Sequence, residues 1–354
     1  MQTSYQTIAA KVEERIAAGE FRAGAPIPSV RALAEEYGVA PLTARRAISR
    51  LCQSGKLRAV NGVGTFVREG CPLRDVTLVI GHLSRQAASD AGHPLAALLE
   101  GTQEACRKAG VPLVLATDLD DPARYIGRGS GFIVFPPRHN GGEMTRWVGA
   151  LRASRDPAVS VAFDVGMDNS VMRDTEAGVA KGLRYLHGLG HRRVMILTRV
   201  SLAGPPVLCV PPGFHAPGLE TRLHAIEYKE QSLAARMWED YEALDAIFDG
   251  AWTPTALLAG TGVVVDHVMQ YLADRGARVP GEISVMGYCL EAHGWWNERP
   301  ITRLDLGHRV VGKTCVEELI KMACGGGYRT GHKLIHPELI YGDTCASAPP
   351  APIA

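Results

Sequence analysis

Three arginines, Arg45, Arg46 and Arg50, lie in one short segment that also carries apolar residues at helical spacing. A guanidinium group is always charged and can donate two parallel hydrogen bonds to a phosphate or to the edge of a guanine. On an amphipathic helix these arginines would occupy the outer face. A basic patch is as often a solvated surface as a binding site, so the surrounding pattern must decide between the two.

The distribution of charge along the chain favours a binding site. The 354 residues carry 38 Lys or Arg and 37 Asp or Glu, a formal net charge of +1. Residues 1–70 hold ten basic and six acidic side chains, whereas the remainder holds 28 and 31, so the parts carry +4 and −3. We therefore predict a basic domain over 1–70 and a second domain over 71–354, within the two to three domains that this length allows.

The composition excludes several classes of protein. Apolar residues make up 46% and charged residues 21%, as in ordinary globular domains. The sequence contains no apolar run of about 18 residues and no basic-then-apolar start, so we expect neither a membrane span nor a secretory signal. The eight cysteines form no Cys-x-x-Cys pair. We predict reduced thiols, a cytoplasmic location, and no metal, cofactor or membrane partner.

The N-terminal domain has the pattern of three short helices. Ser29 is a good N-cap for the second helix, which would end at Gly38, and a third helix would open at Leu42 or Thr43. Their predicted apolar faces are Ile8, Val12 and Ile16; Val30, Leu33, Ala34 and Tyr37; and Ala44, Ala47, Ile48 and Leu51. Two short helices around a tight turn at 38–41 form a helix-turn-helix arrangement.

A β-hairpin is predicted to follow these helices. Residues 57–60 and 65–67 are strand-like and bracket Asn61-Gly62-Val63-Gly64. Asn-Gly between such runs is the strongest short hairpin signal. A dinucleotide-binding loop is not expected, because a third glycine and a following helix are missing.

These segments resemble the GntR-type winged helix-turn-helix repressors. Residues 27–34 are similar to that family's Leu-Pro-Ser-x-Arg-x-Leu-Ala, residues 39–51 to its Val-Ser-Arg-x-Thr-Val-Arg-x-Ala-Leu-x-x-Leu, and residues 62–67 to its wing. The similarity covers nearly all of 5–68 in the correct order. It implies that double-stranded DNA is a partner, with the third helix in the major groove.

The resemblance also implies individual DNA contacts. The residues concerned are Ser29, Arg31, Thr43, Arg45, Gly62 and Gly64. Charge alone adds Arg46 and Lys56, for each of which a solvated surface position is an equal alternative. The family's Ser-Arg before the third helix is Ala40-Pro41 here, so a frequent base-reading arginine is absent. Pro41 suits a first helical turn, so we expect the fold to persist and the operator sequence to differ.

The longer remainder alternates between strand-like and helical stretches. The strand-like runs are 76–80, 113–115, 132–135, 159–163, 194–197, 256–259 and 283–286. The helical stretches are 93–109, 175–188, 221–237, 241–248, 262–275 and 308–323. Alternation of this kind predicts parallel sheets. The fold class is therefore α/β, with a small winged helix-turn-helix domain before a two-lobed parallel-sheet domain. We predict lobe 1 over about 74–165 and 290–325, and lobe 2 over about 166–289 and 326–345.

Several islands resemble the LacI-type regulatory core, which has the periplasmic-binding-protein fold. They are 171–175, 185–194, 254–256, 279–288, 299–304 and 336–340, and the second contains Leu-Gly-His-Arg-Arg. The resemblance implies a homodimer and a small-molecule effector, sugar-related in this family, in the cleft between lobes. The combination of a GntR-type domain over 1–70 with a LacI-type domain over 71–354 is similar to the arabinose-type repressors.

The resemblance implies an effector site whose candidate residues are His82, Arg85, His93, Asp164, Arg222, Thr261, Cys289 and Trp295. Alternatives remain for two of them, because Arg222 could be a helix-surface residue and Trp295 could pack in a core or dimer contact. The family's Asn-Asp is Gly260-Thr261 here, and its later Asp is Cys289. Losing these carboxylates removes the usual acceptors for sugar hydroxyls, so we expect an unusual effector or none.

The histidines and the 204–217 segment complete the candidates. We expect a structural role for His191, because no acid or nucleophile shares its motif. His332 and His336 lie in a strand-like segment beside Pro337, so a shared metal site is not expected. The Pro-rich 204–217 stretch would be a loop covering the cleft or an irregular linker.

The sequence thus predicts a homodimeric transcription regulator, a repressor modulated by a small effector. The alternative is an effector-insensitive DNA-binding protein whose core only dimerises. An enzyme is not expected, because no phosphate loop, nucleophile elbow or metal triad is present in the sequence.

Overall fold

The structure is a computed structural model. It describes residues 5–22, 24–60, 63–68, 71–81, 94–136, 144–154, 156–161, 165–200, 208–227, 233–260, 262–289, 293–324 and 331–349. The chain is divided into two compact units. The first unit comprises Met1–Arg85, Leu98–Val171 and Val311–Lys333, and the second comprises Gln86–Ala97, Met172–Val310 and Leu334–Ala354.

The helices and strands alternate along most of the chain. The helices are α1 (Tyr5–Ala17), α2 (Val30–Glu36), α3 (Pro41–Gln53), α4 (Pro94–Ala109), α5 (Thr145–Ala153), α6 (Thr175–Gly188), α7 (Leu233–Phe248), α8 (Gly262–Asp274) and α9 (His308–Ala323). The strands are β1 (Leu57–Val60), β2 (Gly64–Val67), β3 (Val76–Ile80), β4 (Leu113–Thr117), β5 (Gly131–Phe135), β6 (Ala158–Val161), β7 (Ser170–Arg173), β8 (Arg193–Val200), β9 (Glu220–Glu227), β10 (Ala256–Gly260), β11 (Ser284–Cys289), β12 (Trp295–Trp296), β13 (Arg299–Pro300), β14 (Arg303–Asp305), β15 (His332–Ile335) and β16 (Glu338–Ile340).

The N-terminal head, residues 5–68, packs three helices around one small core. The Ser29 Oγ accepts a hydrogen bond from the Ala32 backbone N at 3.2 Å and caps α2, as the sequence predicts. Strands β1 and β2 pair antiparallel, with Leu57 opposite Val67. The buried side chains that close this core are Ile8, Val12, Ile27, Leu33, Ala34, Ala44, Ala47, Ile48, Leu51, Leu57 and Val67.

The rest of the chain contains two six-stranded sheets, besides the short antiparallel pair of β12 and β13. Their strand orders are β15-β7-β6-β5-β3-β4 and β16-β14-β11-β10-β8-β9. In the first sheet the neighbouring strands β7, β6, β5, β3 and β4 are all parallel. In the second sheet β14, β11, β10, β8 and β9 are parallel, whereas β16 runs antiparallel to β14. Every residue of β3, β5 and β10 is buried, because helices cover both faces of such sheets. The predicted α/β fold class is confirmed, while the predicted domain limits stay predictions.

One predicted helix is wrong. Residues 220–227 form the edge strand β9, and the following helix begins at Leu233 and includes the separately predicted 241–248 stretch. This strand buries only Ile226 fully among its described side chains, so the usual alternation of apolar and polar residues is weak. Its eight residues pair with β8 along their whole length, and this non-local pairing overrides the local preference.

Candidate functional site

Helix α3 separates a buried face from a cationic face. Ala44, Ala47, Ile48 and Leu51 are buried, while Arg45 and Arg46 are exposed. Within the described part of the chain, neither of these guanidinium groups is paired with a carboxylate. Pro41 stands in the first turn, where its missing N–H costs nothing. The side chains of Arg45 and Arg46 are therefore bidentate donors held on a rigid helix.

The neighbouring helix α2 adds the exposed guanidinium of Arg31. The Arg31 side chain is 88% exposed, and its Nε donates to Glu35 Oε1 at 3.3 Å. An exposed pair of this kind is weak and easily exchanged for another anion. The Ser29 hydroxyl caps the N-terminus of α2. Ser29 therefore fixes the start of the helix that carries Arg31. Thr43 is half-buried in the first turn of α3.

The β1–β2 hairpin has an exposed tip. Val63 is 71% exposed, and Gly64 has a φ of +147°, a conformation that L side chains rarely adopt. Arg58 lies over the Phe66 ring, 5.9 Å from its centroid, which stiffens the base of the hairpin. Lys56, at its start, pairs with Glu13 of α1 at 3.4 Å. Helix, free arginines and hairpin together can engage two grooves of a duplex.

The second candidate site lies in the second unit, at the carboxyl ends of its parallel strands. The strand order reverses between β8 and β10, and ligands of open α/β sheets bind at such switch points. Here Leu208 occupies the space beside Gly260, the last residue of β10, and its side chain is fully buried. The Leu208 backbone N donates to Thr198 Oγ1 at 3.2 Å. Leu208, the first described residue of the Pro-rich segment, thus packs at this end of the sheet.

Cys289 and Trp295 differ in their surroundings. The Cys289 thiol is fully buried and donates to the His293 carbonyl at 3.5 Å, and burial raises its pKa to about 12. It is therefore a neutral thiol at physiological pH. Trp295 is 57% exposed at the start of the β12–β13 hairpin, whereas the adjacent Trp296 packs against the core cluster of the second unit.

Arg222 lies apart from Cys289. It pairs in register with Met195 near the amino end of β8, far along the strand from the carboxyl ends. Its Nε and Nη2 donate to Glu220 Oε1 at 3.2 Å, and its guanidinium lies 4.5 Å from the centroid of the Trp252 ring. An effector contact of Arg222 stays a prediction, and this geometry gives the side chain two other partners.

The structure does not describe six of the predicted site residues. They are Gly62, His82, Arg85, His93, Asp164 and Thr261. Their roles stay predictions.

The sequence does not predict two polar features near the carboxyl ends of the strands of the second sheet, the His293–Asp266 pair and Arg303. His293 Nδ1 lies 2.6 Å from Asp266 Oδ2, and Arg303 is only 8% exposed with its Nε 4.0 Å from Asp305 Oδ2. The Arg303 Nε makes no hydrogen bond among the described residues. Asp266 and His293 belong to different elements and share no motif, so only the tertiary fold identifies the pair.

His191 has the predicted structural surroundings. Its ring is fully buried, with Nδ1 3.0 Å from Thr255 Oγ1 and Nε2 3.0 Å from Ser284 Oγ and 3.1 Å from the Ala346 carbonyl. Burial lowers its pKa below the usual 6.5. The ring therefore joins the start of β8 to β11 and the C-terminal segment. In the described ranges no three His, Cys, Asp or Glu side chains are grouped as metal ligands would be.

Comparisons with known sequences divide the chain in two. Residues 4–67 match the model of bacterial regulatory proteins of the gntR family, and residues 183–345 match the periplasmic binding protein-like domain. Over 65 residues the chain is 38% identical to the mannosyl-D-glycerate transport/metabolism system repressor MngR of Escherichia coli, covering 18% of this chain and 27% of that protein. Over 172 residues it is 24% identical to the lactose operon repressor of the same organism, covering 49% and 47%. The chain thus spans about a quarter to a half of these relatives.

Solved structures share the fold at low identity. The lac repressor dimer bound to operator and the anti-inducer ONPF has 18% identity and a TM-score of 0.58, over 77% of this chain and 94% of that one. A complex of the transcriptional regulator CelR with cellobiose has 16% identity and a TM-score of 0.57, over 90% and 100%. No helix in the described ranges is long and apolar enough to cross a bilayer.

Proposed function

We propose that this chain, in which a GntR-type helix-turn-helix domain precedes a periplasmic-binding-protein-like domain, is a transcription repressor and not an enzyme. It acts in the cytoplasm as a homodimer on a near-palindromic DNA operator. The observation that carries the proposal is the outer face of α3, where Arg45 and Arg46 are exposed without a carboxylate partner while the opposite face is buried in the head.

The DNA contacts follow from this arrangement. Helix α3 enters the major groove, where Arg45 donates bidentately to a guanine and Arg46 to a base or phosphate. Arg31 exchanges its exposed contact with Glu35 for a backbone phosphate. The hairpin tip, with Gly62 and Gly64, approaches the minor groove. A two-fold dimer repeats these contacts in two half-sites, which makes the operator near-palindromic.

A small effector bound between the lobes modulates operator binding in this proposal. The names of the relatives include mannosyl-D-glycerate and lactose, which supports a sugar-related compound. In this proposal Leu208 fills the position beside Gly260, and the neutral thiol of Cys289 offers no carboxylate acceptor to a free hydroxyl. An unmodified monosaccharide is therefore not expected to bind tightly.

A second candidate function is a repressor without an effector. The observation that favours it is the same Leu208 side chain, which fills the position at the switch point where a ligand would enter. In this version the core serves only dimerisation, and operator affinity does not respond to metabolites.

Selection from a random-sequence duplex library with the full chain tests the DNA-binding proposal. A selected site should be near-palindromic and should bind at least about a thousandfold more tightly than a scrambled duplex at the same salt concentration. Failure to enrich any sequence, with the protein folded by circular dichroism, would overturn the proposal.

Titration of the selected complex with lactose, cellobiose, mannosyl-glycerate and free monosaccharides separates the two versions. A change of operator affinity of about fivefold or more with one compound supports the effector-modulated repressor. Unchanged affinity across the whole panel supports the effector-insensitive version.

A further inference from the structure

A cleft of about 670 Å³ lies within the first unit, between the head and helices α4 and α9. Its size is in the range of pockets that hold small molecules. The cations of its lining are Arg50, Lys56, Arg68, Lys108 and Lys321. The cleft is thus distinct from the switch-point edge in the second unit.

Close packing holds the two sides of this cleft together. A Cβ built on Gly55 would lie 2.7 Å from Ile320 Cγ2 of α9. Gly55 has a φ of +74° and ends the segment after α3, so both its conformation and its space require glycine. The walls of the cleft are therefore in direct contact at one end.

The charge of the lining is unbalanced. Five cationic side chains face two carboxylates, those of Glu13 and Glu317. Lys56 pairs with Glu13 at 3.4 Å, and Lys321 pairs with Glu318 at 2.7 Å. The remaining cations, Arg50, Arg68 and Lys108, have no carboxylate partner among the described residues.

Arg68 is the most constrained of these cations. Its backbone N donates to the Lys56 carbonyl at 3.0 Å, which fixes it beside the end of β2. Its Nε is buried and makes no hydrogen bond among the described residues. A buried guanidinium nitrogen without an acceptor is costly, so this position favours an anion.

The described groups on which the charge of Arg68 acts are thiols, which do not supply that anion. They are the thiols of Cys52, Cys71 and Cys324, and burial raises the pKa of each of the three. The thiols are therefore neutral at physiological pH, and within the described ranges no carboxylate pairs with Arg68.

We propose that this cleft binds a small, multiply charged anion of the phosphorylated-metabolite class. Arg68 holds the anion at the buried end, and Arg50 and Lys108 hold it from the head and from α4. Because the bound anion contacts both the head and the helices α4 and α9, it restrains the head against these helices. It acts as a second ligand, independent of any effector at the switch point.

Pyrophosphate is the probe for this site. Isothermal titration calorimetry of pyrophosphate into the full chain, without DNA and at constant ionic strength, measures its affinity. Arg68→Gln should weaken binding by about tenfold or more, because it removes charge-assisted hydrogen bonds. Arg107→Gln is the matched control, since Arg107 is an exposed residue of α4 outside the cleft, and it should change the affinity less than about twofold.

Glu317→Gln gives a gain that loss of folding cannot mimic. Removing this exposed carboxylate from the lining should tighten pyrophosphate binding by about two- to fivefold. No binding of pyrophosphate to the wild-type chain would overturn the proposal. Equal affinities for Arg68→Gln and Arg107→Gln would do the same.

A DNA backbone phosphate presents the same chemistry, so a second arm uses a short scrambled duplex. If Arg68→Gln weakens duplex binding tenfold while pyrophosphate neither binds nor competes, the site belongs to DNA and the small-anion proposal is wrong. The calorimetric arm contains no DNA, so its result stands even if the chain proves not to be a repressor.

Discussion

Leu208 lies against Gly260, so that a Cβ added to the glycine would come within 2.5 Å of Leu208 Cδ1. Gly260 ends β10 at the switch point of the second sheet. The Leu208 side chain thus fills the space that a side chain at position 260 would need. An apolar side chain of the chain itself fills the space beside Gly260, at the kind of position where open α/β sheets bind ligands.

Gly260→Ala should therefore lower the free energy of unfolding by about 1–3 kcal/mol, because the methyl group overpacks the space beside Leu208. Denaturation in urea measures this change. Gly188→Ala is the control, since a Cβ on Gly188 meets nothing within 4 Å. An unchanged stability of Gly260→Ala would show that the Leu208 segment moves away at little cost.

Leu208→Ala tests the same contact from the other side. Truncating this fully buried side chain should cost about 2–5 kcal/mol through lost burial and an empty cavity. Leu223→Ala, at a side chain 42% exposed on β9, should cost less than about 1 kcal/mol. Similar losses for both variants would contradict the packing of Leu208 at the switch point.

Arg45→Ala should weaken binding to the selected operator by about 1–3 kcal/mol, because a bidentate contact with a base is lost. Fluorescence anisotropy at fixed salt measures it, with Arg107→Ala as a control of equal charge change. The discrimination between selected and scrambled duplex should also fall. Equal weakening on both duplexes would assign Arg45 to a phosphate instead.

Ser29→Ala should lower the stability of the head by about 1 kcal/mol, because the Ala32 backbone N loses its acceptor at the start of a seven-residue helix. Thermal melting followed by circular dichroism measures the change. Ser49→Ala, at an exposed position inside α3, should cause no loss, since alanine favours the helix. A stable Ser29→Ala would mean that water replaces the cap.

His191 should make the second unit sensitive to acid. Its pKa in the folded state is below the usual 6.5, so the unfolded state binds the proton more readily, and stability falls as the pH drops below about 6.5. Melting temperatures at about pH 7.5 and about pH 5.5 measure this loss. His191→Gln should show a smaller loss on acidification, while His215→Gln, at an exposed position, should behave as the wild type.

Local features of the head could be predicted from the sequence. The Ser29 cap and the hairpin around Asn61-Gly62 depend on residues within a few positions of each other, and their physics is short-ranged. The parallel strands were also predictable, because residues buried on both faces form continuous apolar runs such as 76–80.

Long-range features could not be predicted. Strand β9 was predicted as a helix because its composition is mixed and its pairing with β8 is non-local. The position of Leu208 over Gly260 joins segments some fifty residues apart. The cleft that Arg68 lines also depends on α9, about 250 residues later in the chain.

The last two strands limit where the chain can be shortened. Strand β15 (His332–Ile335) is an outer strand of the first sheet, and β16 (Glu338–Ile340) is an outer strand of the second. Only His336 and Pro337 separate them, so a single stop codon before His332 would remove one outer strand from each sheet. Each sheet thus draws its strands from separate stretches of the chain, whereas the three helices and the hairpin of the head lie in one continuous stretch, residues 5–68.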